Sequence, residues 1–157
     1  MDYLKLLENP EVQGVIVSVP TPYHFKVASN AIKAGKHVLC EMPLAPTIEE
    51  AEKLKKIAEE KGVILMLSLN FRFAPPYVKA KQLINEKALG KPIAIYYREF
   101  ISTDVLVAQW PGDSWAWDKN KSGGYPDFTL SVWSLDLAQW LMKADIIEVK
   151  WFQDTWI

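Results

Sequence analysis

The spacing of apolar and polar positions changes character along the chain, with the break near residue 72. Before it, short apolar runs alternate with segments of helical period. Tyr3 to Glu8 reads as a helix tail, stopped by Asn9-Pro10. Gly14 to Val19 is a β-branched apolar run, which predicts a strand buried on both faces. Thr21-Pro22 opens a helix, with Thr21 as N-cap and Pro22 as the first helical residue. Phe25, Val27, Ala28, Ala31 and Ile32 carry that helix to a stop at Gly35. His37 to Cys40 predicts a second buried strand. Thr47-Ile48-Glu49-Glu50 is a capping box, and the helix behind it lines up Ala51, Leu54, Ile57 and Ala58 before Gly62. Val63 to Leu69 predicts a third strand. Strand, helix, strand, helix, strand with such short connections reads as a right-handed parallel βαβαβ unit.

Beyond the break, Pro75-Pro76 opens a helix that runs to about Lys87. Pro92 to Ile101 predicts a longer strand, in which Ile93, Ile95 and Tyr97 alternate with other residues. Such alternation suits an antiparallel sheet with one covered face. Residues 104–125 read as a loop rich in Trp, Gly, Asp and Ser. Pro126 to Lys143 predicts an amphipathic helix, and Ile146 to Phe152 a strand.

Composition narrows the function classes. The 157 residues are 50% apolar and 24% charged, an ordinary globular balance for one domain or a little more. A net charge of −1 without a basic run leaves no electrostatic footprint for nucleic acid or an anionic membrane. No apolar run approaches the ~18 residues of a membrane span, and Met1-Asp2-Tyr3-Leu4 does not read as a signal peptide. One cysteine, Cys40, excludes a disulfide framework within the chain; it reads as a buried small apolar residue in a reducing, cytoplasmic compartment. No cluster has metal-ligand spacing, and no nucleophile elbow or triad occurs, so no metal is expected.

One segment names a chemistry. His37-Val38-Leu39-Cys40-Glu41-Met42-Pro43-Leu44-Ala45 resembles the HVLCEKPLA signature of the Gfo/Idh/MocA (glucose–fructose oxidoreductase / inositol dehydrogenase) family of NAD(P)-dependent dehydrogenases. The likeness extends through Asn9-Pro10-Glu11-Val12, Val19-Pro20-Thr21-Pro22-Tyr23-His24 and Ala34-Gly35-Lys36. It continues in Asn70-Phe71-Arg72-Phe73, Ala88-Leu89-Gly90-Lys91-Pro92, Ser122-Gly123-Gly124 and Asp136-Leu137-Ala138-Gln139-Trp140. The resemblance implies an α/β fold: the second half of a Rossmann-like parallel βαβαβ sheet over residues 1–72, then part of an α+β antiparallel-sheet domain for substrate and oligomer contacts over 73–157. On that plan the first βαβ and the glycine-rich phosphate loop lie outside the chain. No G-x-G-x-x-G occurs, so NAD or NADP binding is expected to be weak or absent in this chain alone.

The resemblance also implies a proton-handling set, and here the sequence departs from it. The lysine position is Met42, the aspartate position is Thr129 and the histidine position is Trp133. None of the three replacements shuttles a proton near neutral pH. The family reaction is hydride transfer at a hydroxyl carbon of a sugar or polyol; this chain alone is expected to be inactive. The alternative is a non-catalytic dehydrogenase-like binding or regulatory domain, or one half of a split enzyme.

By the same resemblance Pro20, Thr21, Pro22, His24, Glu41 and Asn70 are the candidate cofactor contacts, and Arg72, Trp117 and Tyr125 the candidate substrate contacts. Each has a plainer reading. Thr21 and Pro22 serve as cap and first-turn proline, His24 as a helix-surface histidine, and Glu41 as a solvated turn residue. Asn70 and Arg72 pair to hold the two domains together, Trp110, Trp115 and Trp117 pack a loop onto the sheet, and Trp133 fills core. The family bend further implies a cis peptide at Met42-Pro43. The strand at 14–19 is left without its expected neighbour, an association hazard. A homo-oligomer through exposed sheet edges, or a separately encoded N-terminal half, is the partner expected.

Overall fold

Two helical crossovers on one side of a short sheet organise the first part of the molecule. The computed structural model describes residues 2–100, 102–112, 114–122, 127–150 and 152, with backbone only at 103, 119 and 127–130. Its chain forms two compact units, residues 1–69 with 98–132, and residues 70–97 with 133–157.

In the first unit α1 (Tyr3–Glu8) is capped by Asp2, whose side chain accepts from the Leu4 amide. β1 (Gly14–Val17), β2 (His37–Cys40) and β3 (Leu65–Leu67) form a parallel sheet in the order β1-β2-β3. Gly14 pairs with His37, and Leu39 with Met66. α2 (His24–Lys33) connects β1 to β2, and α3 (Ile48–Lys61) connects β2 to β3. Thr47 caps α3 by accepting from the Glu50 amide, as its sequence predicts. Gly62 ends α3 in the left-handed region (φ 64°), where an added Cβ would be strained. The two helices and the sheet share a core of Val17, Ala28, Ile32, Val38, Cys40 and Leu54. Alanines at 28, 31 and 58 are almost wholly buried, so α2 and α3 approach closely. Lys36 is buried too, and its ammonium donates to the Asn9 carbonyl at 2.9 Å, tying the segment after α1 to the start of β2.

Several expectations need correction. The first strand is shorter than 14–19 and is not buried on both faces: Ile16 is 72% exposed, and Ile64 and Met66 are also exposed. Both crossover helices serve the same face, and among the described residues the opposite face is left exposed at Ile16, Ile64 and Met66. Thr21 is not a side-chain cap. Thr21–Tyr23 form a 3₁₀ turn whose tight geometry precedes α2, and Thr21 itself is buried. Residues 104–125 are not simply loop. They contain α5 (Thr103–Gln109), a 3₁₀ turn (Trp115–Trp117) and α6 (Lys119–Ser122). Ser102 and Ser114 start two of these by accepting from Asp104 and Ala116 amides, local capping that a reading for long apolar periods passes over.

In the second unit a 3₁₀ turn (Asn70–Phe73) leads into α4 (Pro75–Asn85). α7 (Asp127–Met142) begins in the first unit's residues and ends in the second's. The strands expected at 92–101 and 146–152 do not form among the described residues. A strand is stabilised by its partner's hydrogen bonds, and two strands alone make a marginal sheet. Ile93, Tyr96 and Ile147 stand almost fully exposed.

Cys40 gives the fold a direct test. It is fully buried, and burial, reinforced by the charge of Glu41, pushes its thiol up to about 12. The thiol should resist alkylation at pH 8 in the native protein and react on unfolding, read by mass spectrometry. The ordinary value is 9.0, so above it the unfolded thiol ionises while the native one does not. Stability should therefore fall as pH rises from about 9 towards 12, and Cys40→Ala should flatten that slope.

Candidate functional site

The carboxyl edge of a parallel sheet is where an open α/β protein holds its ligand. Here that edge is built from the exits of β1 and β2. The Glu41 amide donates to the Val17 carbonyl at 2.9 Å, which holds the two exits side by side. Beyond β1 come Pro20, exposed, then Thr21, buried, and Pro22, half-buried. Beyond β2 come Glu41, half-buried, and Met42 and Pro43, both buried. The Met42-Pro43 peptide is cis. Tyr23 closes the 3₁₀ turn by donating its amide to the Pro20 carbonyl.

His24 joins the two exits. It is not on the helix surface: it is 1% exposed. Its Nδ1 lies 2.6 Å from the Pro43 carbonyl oxygen and its Nε2 lies 2.7 Å from that of Val19. A periodic signal for this burial was present. His24, Ala28, Ala31 and Ile32 are spaced four, three and one apart, on the stripe of α2 that faces the core.

Following the turn, Pro43, Leu44, Ala45, Thr47, Ile48 and Leu67 line a cleft of about 310 Å³. Its lining holds no ionisable side chain. Ser122, wholly buried, lies on α6, which packs beside the 3₁₀ turn of Thr21–Tyr23. Sequence reasoning singled out Ser122-Gly123-Gly124 as a motif without assigning Ser122 to this edge. Chain distance hid the contact.

Trp117 is used locally. Its indole N–H donates to the Trp110 and Pro111 carbonyls, at 2.9 and 3.1 Å. Both are loop carbonyls, which is how a tryptophan packs a loop. Tyr125 lies outside the described residues, as does the side chain of Thr129.

The other candidates belong to the second unit. Asn70 is exposed at its start. Arg72 grips Asp136 in a fork, at 2.8 and 2.5 Å, and its guanidinium also lies 5.9 Å from the Trp140 ring centre. Those bonds to Asp136 raise the arginine further above its ordinary range. Lys81 donates to the Trp140 carbonyl and stands 5.1 Å over the same ring. Burial, with the charges of Lys143 and Arg72, lowers the lysine from its ordinary value. Trp133 stacks on Phe71 at 5.3 Å, and Phe71 on Tyr77 at 5.7 Å, an aromatic cluster rather than a proton relay. The Trp133 indole N–H is buried without a hydrogen-bond partner among the described residues. No group of three or more His, Cys, Asp or Glu among the described residues is placed to hold a metal ion. No helix among them is long and apolar enough to cross a membrane.

A parallel sheet with crossover helices on one face defines part of a Rossmann-like fold. The chain belongs to the GFO/IDH/MocA oxidoreductase family. Residues 1–69 match the model described as "Oxidoreductase family, NAD-binding Rossmann fold", and residues 77–157 match the GFO/IDH/MocA C-terminal domain. The chain is similar to levoglucosan dehydrogenase of Pseudarthrobacter phenanthrenivorans, at 27% identity over 99% of this chain and 39% of that protein. It is similar to scyllo-inositol 2-dehydrogenase (NAD(+)) of Bacillus subtilis, at 31% identity over 94% of this chain and 40% of that protein. Among solved structures, an NAD binding oxidoreductase from Klebsiella pneumoniae superposes with a TM-score of 0.76 at 30% identity, over 90% of this chain and 37% of that one. The chain thus spans about two-fifths of the length of these curated relatives.

Proposed function

We propose that this chain supplies the nicotinamide-side wall of an NAD(P) site, and the opening part of a substrate domain, in an oxidoreductase acting on a sugar or polyol in the reducing cytoplasm. These residues alone do not move the proton that accompanies hydride transfer. One observation carries the reading: the turn after β2 presents Met42, buried, where the family resemblance places a lysine. A nicotinamide, when bound, accepts or donates the hydride. Oxidising a hydroxyl carbon also requires a group that takes the hydroxyl proton, and a thioether does not. Trp133, at the histidine position, offers an indole N–H that donates only.

The residues fit one end of the cofactor and not the other. Pro20 and Pro22 offer apolar surface beside backbone groups, which suits a flat ring and excludes water from it. Glu41, half-buried at the same edge, is an acceptor for a carboxamide. Phosphates find no glycine-rich cradle in these residues, where backbone amides would meet them at a helix start. Loss of a general acid–base alone costs about 10²–10⁴-fold in rate.

Titration of NAD(H) and NADP(H) into the pure protein by calorimetry tests this, with scyllo-inositol and levoglucosan as trial substrates. Binding weaker than about 1 mM, a loss of at least about 4 kcal/mol against a micromolar site, and no reduction of NAD(P)+ are expected. Submillimolar binding with turnover would sink the proposal.

A second reading is a non-catalytic dehydrogenase-like domain that binds another polypeptide. The bare sheet face around Ile16, Ile64 and Met66 favours it, since an apolar face beside an unpaired strand edge invites association. The occupant is a second copy or a separately encoded N-terminal half. Size-exclusion chromatography with light scattering should report an oligomer; a stable monomer at high concentration would count against it.

A further inference from the structure

We draw no further inference here: the strongest candidate, the bare apolar face of the β1-β2-β3 sheet around Ile16, Ile64 and Met66, belongs to the association surface already described, and nothing among the described residues shows what covers it.

Discussion

Leu54→Ala should cost the protein about 2–5 kcal/mol of stability. Leu54 is fully buried in α3 and packs in the cluster that contains Ile32, Val38 and Cys40. Truncation loses the transfer energy of the removed carbons and leaves a cavity. The cavity has little scope to close, because the cluster around it already contains the small residues Ala28, Ala31 and Ala58 and the strands beneath are fixed in register. With a urea slope of about 2 kcal/mol/M, the unfolding midpoint should fall by about 1–2.5 M. A fall of less than about 0.5 M would mean that α3 is not seated as described.

The second large effect is expected at Asp136→Ala. The pair it breaks is neither a surface bridge nor a buried one: the Arg72 side chain is 39% exposed and that of Asp136 is 13% exposed. Surface pairs contribute about 0–1 kcal/mol and broken buried pairs cost about 3–5 kcal/mol. The forked geometry argues for more than the surface value, and the arginine's access to water for less than the buried one. A loss of about 1–2 kcal/mol is expected, read as a lowered urea midpoint. Arg72→Met should cost a similar amount, since it removes the guanidinium that forks to Asp136 and lies over the Trp140 ring. If either change instead left stability untouched and altered only ligand binding, Arg72 would be a substrate contact and not a strut.

How much of a residue's surroundings the sequence announces depends on how far along the chain its neighbours lie. Thr21, Pro22, Glu41 and Met42 were singled out by the family resemblance, and their place beyond the ends of β1 and β2 follows from short-range pattern. The neighbourhood of Ser122 with the Thr21–Tyr23 turn spans about a hundred positions, and nothing local in Ser122-Gly123-Gly124 announces it. His24 falls between these cases. Its stripe on α2 was readable from helical spacing, yet a polar side chain in such a stripe suggests the surface until its two carbonyl partners are known. The short helices within 104–125 were missed because serine capping acts over two residues, below the length at which apolar period becomes visible.

By itself the sequence determined the alternation of strand and helix up to Leu69, the capping of α3 by Thr47, the stop at Gly62 and the absence of a proton-shuttling side chain at position 42. These rest on backbone preference, local hydrogen bonds and side-chain chemistry, all carried by neighbouring residues. Only the tertiary structure decided which face of the sheet is bare, that Arg72 belongs to Asp136, that Trp133 stacks on Phe71, and that His24 stands between two carbonyls. Those outcomes depend on which distant groups meet, and a burial or a hydrogen bond is defined only once both partners are in place.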